Sequence, residues 1–256
     1  MQNIKRLQKL IWFLPWILLL LFELIYFQPE WFYYLLILSN LVLIVSVWLF
    51  SKDLSKKFLV FKLLILPWLF LNFTLFYAII SVSSFLTQAT FVISAFLLFL
   101  YFQASFKKYY QPLAKSIFKI GELSFFLSFL AVFLASASVF GLKSFLNFPS
   151  WQLIIFLAPI IFLLLLQLFW FQGLKAKSNI YTLLILLLLL LEIIWGASFL
   201  TFSYLMIGLI VAISFYVLAG ITIAFENLSL DKRSLRYYIN FALIGFLLIF
   251  LSSRWL

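Results

Sequence analysis

Long apolar runs separated by short polar stretches dominate the pattern of this 256-residue chain. Each run approaches the ~20 residues that a helix needs to cross a hydrocarbon core of ~30 Å. The runs are continuously apolar and lack the alternation of membrane β-strands, so helices, which satisfy their own backbone hydrogen bonds, are predicted. The nine runs are Leu10–Phe27, Trp31–Phe50, Leu59–Ile80, Phe85–Phe102, Leu123–Phe140, Trp151–Phe171, Ile180–Leu200, Ser203–Ala224 and Tyr237–Leu251.

The connections between the runs predict how the helices are arranged. One set of connections is very short, such as Gln28-Pro29-Glu30, and the longest of that set covers residues 141–150. The predicted fold class is therefore an all-α, polytopic integral membrane helix bundle of about nine transmembrane helices arranged as short hairpins. It forms a single transmembrane domain over residues 1–256, with no soluble domain. The last run is short and Arg254 follows it, so eight spans result if that run lies on the membrane surface.

Basic residues concentrate in the other set of connections, about residues 51–58, 103–122, 172–179 and 225–236, and at the N-terminus. With nine spans, all but two of the 18 Lys and Arg residues fall on one side, the exceptions being Lys143 and Arg254. The positive-inside rule makes that side cytoplasmic. We therefore predict an N-terminus in the cytoplasm, a C-terminus outside and a bacterial-type cytoplasmic membrane. This distribution also explains the net charge of +11, so nucleic acid is not predicted as a partner.

Composition supports the membrane assignment and narrows the chemistry. The chain is 67% hydrophobic and 10% charged, whereas a soluble domain is about half apolar and about a quarter charged. Cysteine and histidine are both absent, which excludes disulfides, thiolate and histidine metal sites, and Ser-His or Cys-His catalysis. No catalytic motif replaces them, so we predict neither an enzyme nor a cofactor or metal.

A glutamate interrupts the most apolar run of the chain. Glu192 follows six consecutive leucines and lies about 12 residues into its span, which places it roughly 18 Å deep. An acid exposed to lipid is costly, so Glu192 is expected to face the bundle, to be protonated, and to donate a hydrogen bond to an amide or hydroxyl. One turn further on, Gly196 is expected to allow close helix packing, as are Gly208, Gly220 and Gly245.

Polar residues on four other spans have a similar predicted depth, and two interpretations of this layer are open. In the functional interpretation Glu192 couples protons or binds a substrate. In the structural interpretation it makes a neutral interhelical hydrogen bond of about 1 kcal/mol. The candidate intramembrane polar site consists of Glu192, Glu23, Asn40, Asn72 and Ser214.

Two basic connections have a pattern that suits anionic lipid headgroups or a cytoplasmic partner. Pro112 is suited to the first turn of a short helix, in which apolar Leu113 and Ile117 would lie opposite Lys115 and Lys119. The alternative is that these charges only set the topology. The candidate contacts are Lys107, Lys108, Lys115, Lys119, Lys232, Arg233 and Arg236.

Three hypotheses for function follow. Sparse polarity and short connections favour a non-catalytic membrane subunit or scaffold, whose partners are the lipid bilayer and either a membrane protein or a second copy of the chain. The alternative is a small permease or lipid translocator that uses the polar layer around Glu192. A repeated Leu-Pro-Trp triplet, at residues 14–16 and 66–68, suits that alternative unless it is a chance repeat. A lipid-modifying enzyme ranks lowest.

Overall fold

The computed structural model describes residues 2–52, 57–111, 119–146, 148–174 and 179–252. This part of the chain contains nine α-helices, one short 3-10 turn at Pro29–Trp31 and no strand. All nine helices are long and apolar enough to cross a membrane, which confirms the predicted all-α polytopic bundle. They are α1 (Gln2–Phe27), α2 (Phe32–Ser51), α3 (Lys57–Ile80), α4 (Ser84–Tyr110), α5 (Ile120–Leu146), α6 (Ser150–Phe171), α7 (Ile180–Ala197), α8 (Tyr204–Glu226) and α9 (Lys232–Ser252).

Several helices continue beyond their apolar runs. α4 ends at Tyr110, eight residues after the predicted end, so Lys107 and Lys108 lie in its last turn rather than in a loop. α9 begins at Lys232, five residues before its predicted start. Hydropathy detects only the part of a helix that lies in hydrocarbon, whereas Lys and Tyr side chains let the helix continue into the headgroup layer. The short helix predicted after Pro112 lies outside the described residues, and so does Lys115.

The chain divides into two compact units, residues 1–127 and residues 128–256, with the division inside α5. In the first unit α1 packs against α2 and α4, and α3 packs against α2 and α4, so the four helices close into a ring. In the second unit α7 packs against α6 and α8, and α9 packs against α8.

The core of the first unit is built from apolar side chains that recur every three or four residues along each helix. In α1 these include Ile11, Leu14, Leu18 and Phe22, none of which is more than 3% exposed. This spacing places them on one face of the helix, where they contact the neighbouring helices. The two Leu-Pro-Trp triplets share an arrangement, because the leucine of each is buried and the tryptophan of each is exposed.

Glycines provide the closest packing in the second unit. A Cβ atom added to Gly208 would lie 2.9 Å from the backbone nitrogen of Ala137, so α8 and α5 touch through their backbones there. Gly220 lies against the ring of Tyr238, and Gly245 lies against Ile213. The predicted packing role is thus confirmed for three of the four glycines to which it was assigned. Gly196 differs, because a Cβ added there would meet no other part of the described chain within 4 Å.

Candidate functional site

Asn40 and Asn72, two of the predicted intramembrane residues, form a reciprocal pair between α2 and α3. Asn40 Nδ2 donates to Asn72 Oδ1 at 3.1 Å, and Asn72 Nδ2 donates to Asn40 Oδ1 at 2.9 Å. Each Nδ2 also donates to a carbonyl of its own helix, Leu36 at 2.8 Å and Trp68 at 2.7 Å. All four amide hydrogens therefore have acceptors. Such a pair joins two helices and leaves no amide donor for a substrate.

This pair gives a measurable coupling. Asn40→Ala and Asn72→Ala are each expected to lower the free energy of unfolding by about 1 kcal/mol, and the double variant is expected to cost less than their sum. The coupling arises because one substitution removes both interhelical hydrogen bonds. Reversible unfolding of the full chain in mixed micelles measures it. Ser39→Ala is the control, since the Ser39 hydroxyl donates only within its own helix, to Leu36. If the effects of the two asparagine substitutions were additive, the reciprocal hydrogen bonds between Asn40 and Asn72 would not stabilise the protein as proposed.

Glu23 has a partner that the sequence did not indicate. Gln88 Nε2 donates to Glu23 Oε2 at 3.0 Å, which joins α1 to α4 near the end of α1. A second unpredicted contact joins the hydroxyls of Thr74 and Ser94 at 3.0 Å between α3 and α4. The sequence positions of Gln88, Thr74 and Ser94 did not indicate that these residues would form contacts between helices. Glu23 and the asparagine pair are thus engaged in separate contacts.

Ser214 in α8 bonds within its own helix. Its hydroxyl donates to the carbonyl of Ile210 at 2.8 Å, and it is buried beside an apolar cluster that contains Ile210, Ile213 and Ile249. A serine that donates to the carbonyl four residues earlier satisfies its polarity locally. Ser214 therefore needs no partner on another helix.

Glu192 lies on the exposed face of α7. The buried positions of this helix are Leu183, Leu186, Leu190, Ile194 and Ala197. Glu192 is two residues from both Leu190 and Ile194, which places it on the opposite face of the helix. Among the described residues no side chain is found to form a hydrogen bond or an ion pair with it. The bundle-facing position and the internal hydrogen bond expected for Glu192 are therefore not seen in this part of the chain.

The surroundings of Glu192 define a small surface, which we call the α7 face: Leu188, Glu192, Trp195 and Gly196. Leu188 is 56% exposed and Trp195 is 53% exposed. Gly196 leaves a notch one turn beyond Glu192, because a Cβ added there would meet no other part of the described chain within 4 Å. The α7 face thus combines one acid, one aromatic ring and one gap within about one turn of the helix.

The position of Glu192 along α7 is the one from which its depth in the hydrocarbon was predicted. At 1.5 Å per residue it lies about 18 Å from Ile180 and about 8 Å from Ala197, the two ends of α7. Helical side chains lean toward the N-terminus of their helix. The Glu192 side chain is therefore expected to lean toward the leucine run and away from the nearer end of α7.

The predicted basic contacts lie at helix ends. Lys108 Nζ lies 5.8 Å from the ring centre of Tyr109, and Lys119 approaches Glu122 at 4.0 Å on an exposed surface. Three further residues are exposed in the first turns of α9, namely Lys232, Arg233 and Arg236.

Asp231 precedes these three basic residues and caps α9. The backbone N–H of Ser234 donates to Asp231 Oδ1 at 2.7 Å. Hydrogen bonds from the side chain and backbone of Ser234 hold the pKa of Asp231 below its usual value. The carboxylate therefore stays ionised at the start of α9, which suits the positive end of the helix dipole. It also places one negative charge beside Lys232 and Arg233.

Lys143, one of the two basic residues predicted on the outer side, has a structural role. Its Nζ donates to the carbonyl of Ser198 at 2.9 Å and to the hydroxyl of Ser150 at 3.2 Å. Ser198 is the C-terminal cap of α7, where carbonyls lack helical partners and a cation is favourable. At the other end of α7, the Thr182 hydroxyl donates to Glu226 Oε1 of α8 at 2.8 Å.

No protein-family model, no curated protein and no solved structure matches this chain. Within the described ranges, no three Asp or Glu side chains come together as metal ligands.

Proposed function

We propose that this integral membrane protein is a non-catalytic subunit that docks onto a partner protein through the α7 face. The observation that carries the proposal is the exposure of Glu192 within the hydrocarbon. Placing a charged side chain at the centre of a membrane helix costs about 2.5–3.5 kcal/mol. A partner that satisfies the carboxyl group offsets part of the cost of leaving it in lipid, which favours association.

The proposed partner is a transmembrane helix that carries a lysine or arginine at the depth of Glu192. Opposite charges attract strongly in the low dielectric of the bilayer. A second copy of this chain cannot supply such a charge, because all of its Lys and Arg residues lie toward the ends of the spans. The notch at Gly196 supports close approach of a second helix, as small residues do in membrane interfaces.

The orientation follows from the positive-inside rule. The connections rich in Lys and Arg face the cytoplasm of a bacterial-type cell, and the N-terminus lies on the same side. Glu192, which is nearer to Ala197 than to Ile180, then lies in the outer half of the bilayer. The partner's basic residue lies in that half as well.

Translocation and lipid modification are weaker proposals. A translocator would need polar side chains that offer hydrogen bonds to a substrate. The amide hydrogens of Asn40 and Asn72 are instead directed to each other and to backbone carbonyls. A lipid-modifying enzyme would need a nucleophile with a base, or a metal, and the candidate polar residues supply no such combination.

Site-directed photocrosslinking in native membranes tests the docking proposal. A photoreactive phenylalanine analogue replaces Leu188 on the α7 face in the full chain. The matched control places it at Leu247 of α9, which is similarly exposed at 58%. We expect the probe at position 188 to crosslink one membrane protein that has a lysine or arginine within a span, and we expect the control not to crosslink it.

Substitutions of Glu192 then test the chemistry of the contact. Glu192→Leu is expected to reduce the yield of the crosslink at least tenfold, because it removes the carboxyl group that the partner binds. Since position 192 is exposed, the fold of the chain itself is expected to be unaffected. Glu192→Lys is expected to abolish the crosslink, and exchange of the partner's basic residue for glutamate is expected to restore it. A crosslink to a second copy of the chain would overturn the proposal. So would a crosslink that Glu192→Leu leaves unchanged, or the absence of a protein crosslink.

A further inference from the structure

A groove lies between α1 and α4 in the first unit, separate from the α7 face. It has a volume of about 300 Å³ and opens at the surface of the bundle. Every residue that lines it is apolar. These residues are Trp12, Pro15, Trp16 and Leu19 of α1 with Val92, Ala95, Phe96 and Phe99 of α4.

The shape of the groove follows from large rings at its edges and small residues between them. Trp12 and Phe99 close one end, with ring centroids 5.1 Å apart. Trp16 and Phe96 border the opening and are 68% and 57% exposed. Ala95 contributes only a methyl group to the lining, which leaves space between the rings. An apolar chain lying in this space would contact aromatic rings on both helices.

The register of α1 against α4 determines which residues lie beyond the closed end. Trp12 contacts Phe99, and Glu23 contacts Gln88. From the first contact to the second, the chain advances 11 residues along α1 and goes back 11 residues along α4. The two helices are therefore antiparallel. The same register brings Lys9 and Gln103 to nearly the same level. Lys107 follows about one turn later on α4.

Two cations therefore lie on the two helices that form the groove, at one end of it. Lys9 is three residues from Trp12, and Lys107 is two helical turns from Phe99, so both lie near the faces that line the groove. Lys9 is exposed and Lys107 is half-buried. Long lysine side chains near helix ends extend toward the headgroup layer, where phosphate groups lie. Gln8 and Gln103 add amide donors at the same end.

From this arrangement we propose that the groove binds an anionic glycerophospholipid of the surrounding membrane. One acyl chain lies along the aromatic groove, and the headgroup phosphate lies between Lys9 and Lys107. The two lysines favour an anionic headgroup, and the apolar lining of the groove favours an acyl chain. This proposal does not depend on docking at the α7 face, because the groove belongs to α1 and α4 and shares no residue with α7.

Native mass spectrometry of the full chain in detergent, titrated with lipid, tests the proposal. The probes are dioleoyl phosphatidylglycerol, which is anionic, and dioleoyl phosphatidylcholine, which has the same chains and no net charge. We expect the unmodified chain to bind the first lipid at least tenfold more tightly than the second. Equal binding of the two lipids would overturn the role of the phosphate and the two lysines.

Paired substitutions separate a specific site from general attraction. The variant Lys9→Gln with Lys107→Gln is expected to weaken phosphatidylglycerol binding at least tenfold. The matched control, Lys175→Gln with Lys177→Gln, removes the same charge from the connection between α6 and α7, outside the candidate headgroup contacts, and is expected to change binding less than twofold. An equal effect of both pairs would show that binding depends on net charge alone, which contradicts the proposal.

Filling the groove tests the position of the acyl chain. Val92→Phe adds a ring from a groove position that is 55% exposed, so folding is not threatened, and Ala95→Leu fills the space more completely. Both variants are expected to weaken binding of both lipids at least fivefold. Unchanged binding in Val92→Phe would place the chain elsewhere. Displacement of the lipid by equimolar inorganic phosphate would show that only the phosphate is recognised, which would also overturn the groove as the site.

Discussion

Replacing Gly208 with leucine is expected to lower the free energy of unfolding by about 3 kcal/mol, the upper part of the usual range for overpacking. The reason is that a Cβ at this position would lie 2.9 Å from the Ala137 backbone nitrogen and 3.0 Å from its Cβ. Backbone atoms cannot move aside as the end of a side chain can. α8 would have to separate from α5, and the contacts on both sides of Gly208 would be lost. Reversible unfolding in mixed micelles measures the effect.

The matched control is Gly196→Leu, which makes the same chemical change in α7. Because a Cβ at Gly196 would lie more than 4 Å from the other described residues that could obstruct it, the isolated chain is expected to lose less than about 0.5 kcal/mol. The same variant is expected to weaken the proposed docking of a partner helix, since it fills the notch beside Glu192. Comparable destabilisation by the two substitutions would contradict the difference in packing.

Replacing Lys143 with methionine is expected to lower the free energy of unfolding by about 2 kcal/mol, as is typical for loss of a hydrogen bond from a charged donor. Methionine keeps most of the apolar stem but cannot donate to the Ser198 carbonyl. Ser198 is a buried residue at the end of α7. Water therefore cannot easily replace the donor that its carbonyl loses. Thermal unfolding of the full chain in detergent, followed by circular dichroism, measures the change.

Two further variants separate the components of the Lys143 contact. Ser150→Ala removes only the hydroxyl acceptor at 3.2 Å and is expected to cost less than about 1 kcal/mol. Lys143→Arg keeps a cation at the end of α7 and is expected to retain at least half of the stability lost in Lys143→Met. If Lys143→Met were no less stable than Ser150→Ala, the capping role would be wrong.

The contrast between Asn40 and Glu192 shows how far the candidate site could be predicted. Both residues were placed within the hydrocarbon from their distances along the apolar runs. The structure brings Asn40 against Asn72, whereas it leaves Glu192 exposed on α7. Depth depends only on the count of residues from a span end, but contact also requires the rotation of each helix. No local feature around either residue specified that rotation.

Some helix ends could be predicted from the sequence and others could not. The end of α1 at Phe27 and the end of α6 at Phe171 agree with the apolar runs, because a polar residue follows each of them directly. At the end of α6, Gly173 adopts a φ of +82° that stops the helix. Leu228 takes a comparable φ of +53° after α8, although leucine rarely does so. Sequence did not indicate that second stop, because no glycine marks it.

The sequence by itself determined that the chain is a multi-span helical membrane protein, and it predicted which residues lie deep in each span. Those properties follow from the length of each apolar run, because lipid requires every span to satisfy its own backbone hydrogen bonds. Only the tertiary structure decided which face of each helix is buried. In these spans nearly all faces are apolar, and lipid tails are as apolar as a protein interior, so hydrophobicity does not orient the helices. Close fits such as Gly208 against Ala137, and hydrogen bonds such as that from Lys143 to Ser198, orient them instead. The same packing leaves Glu192 on the surface.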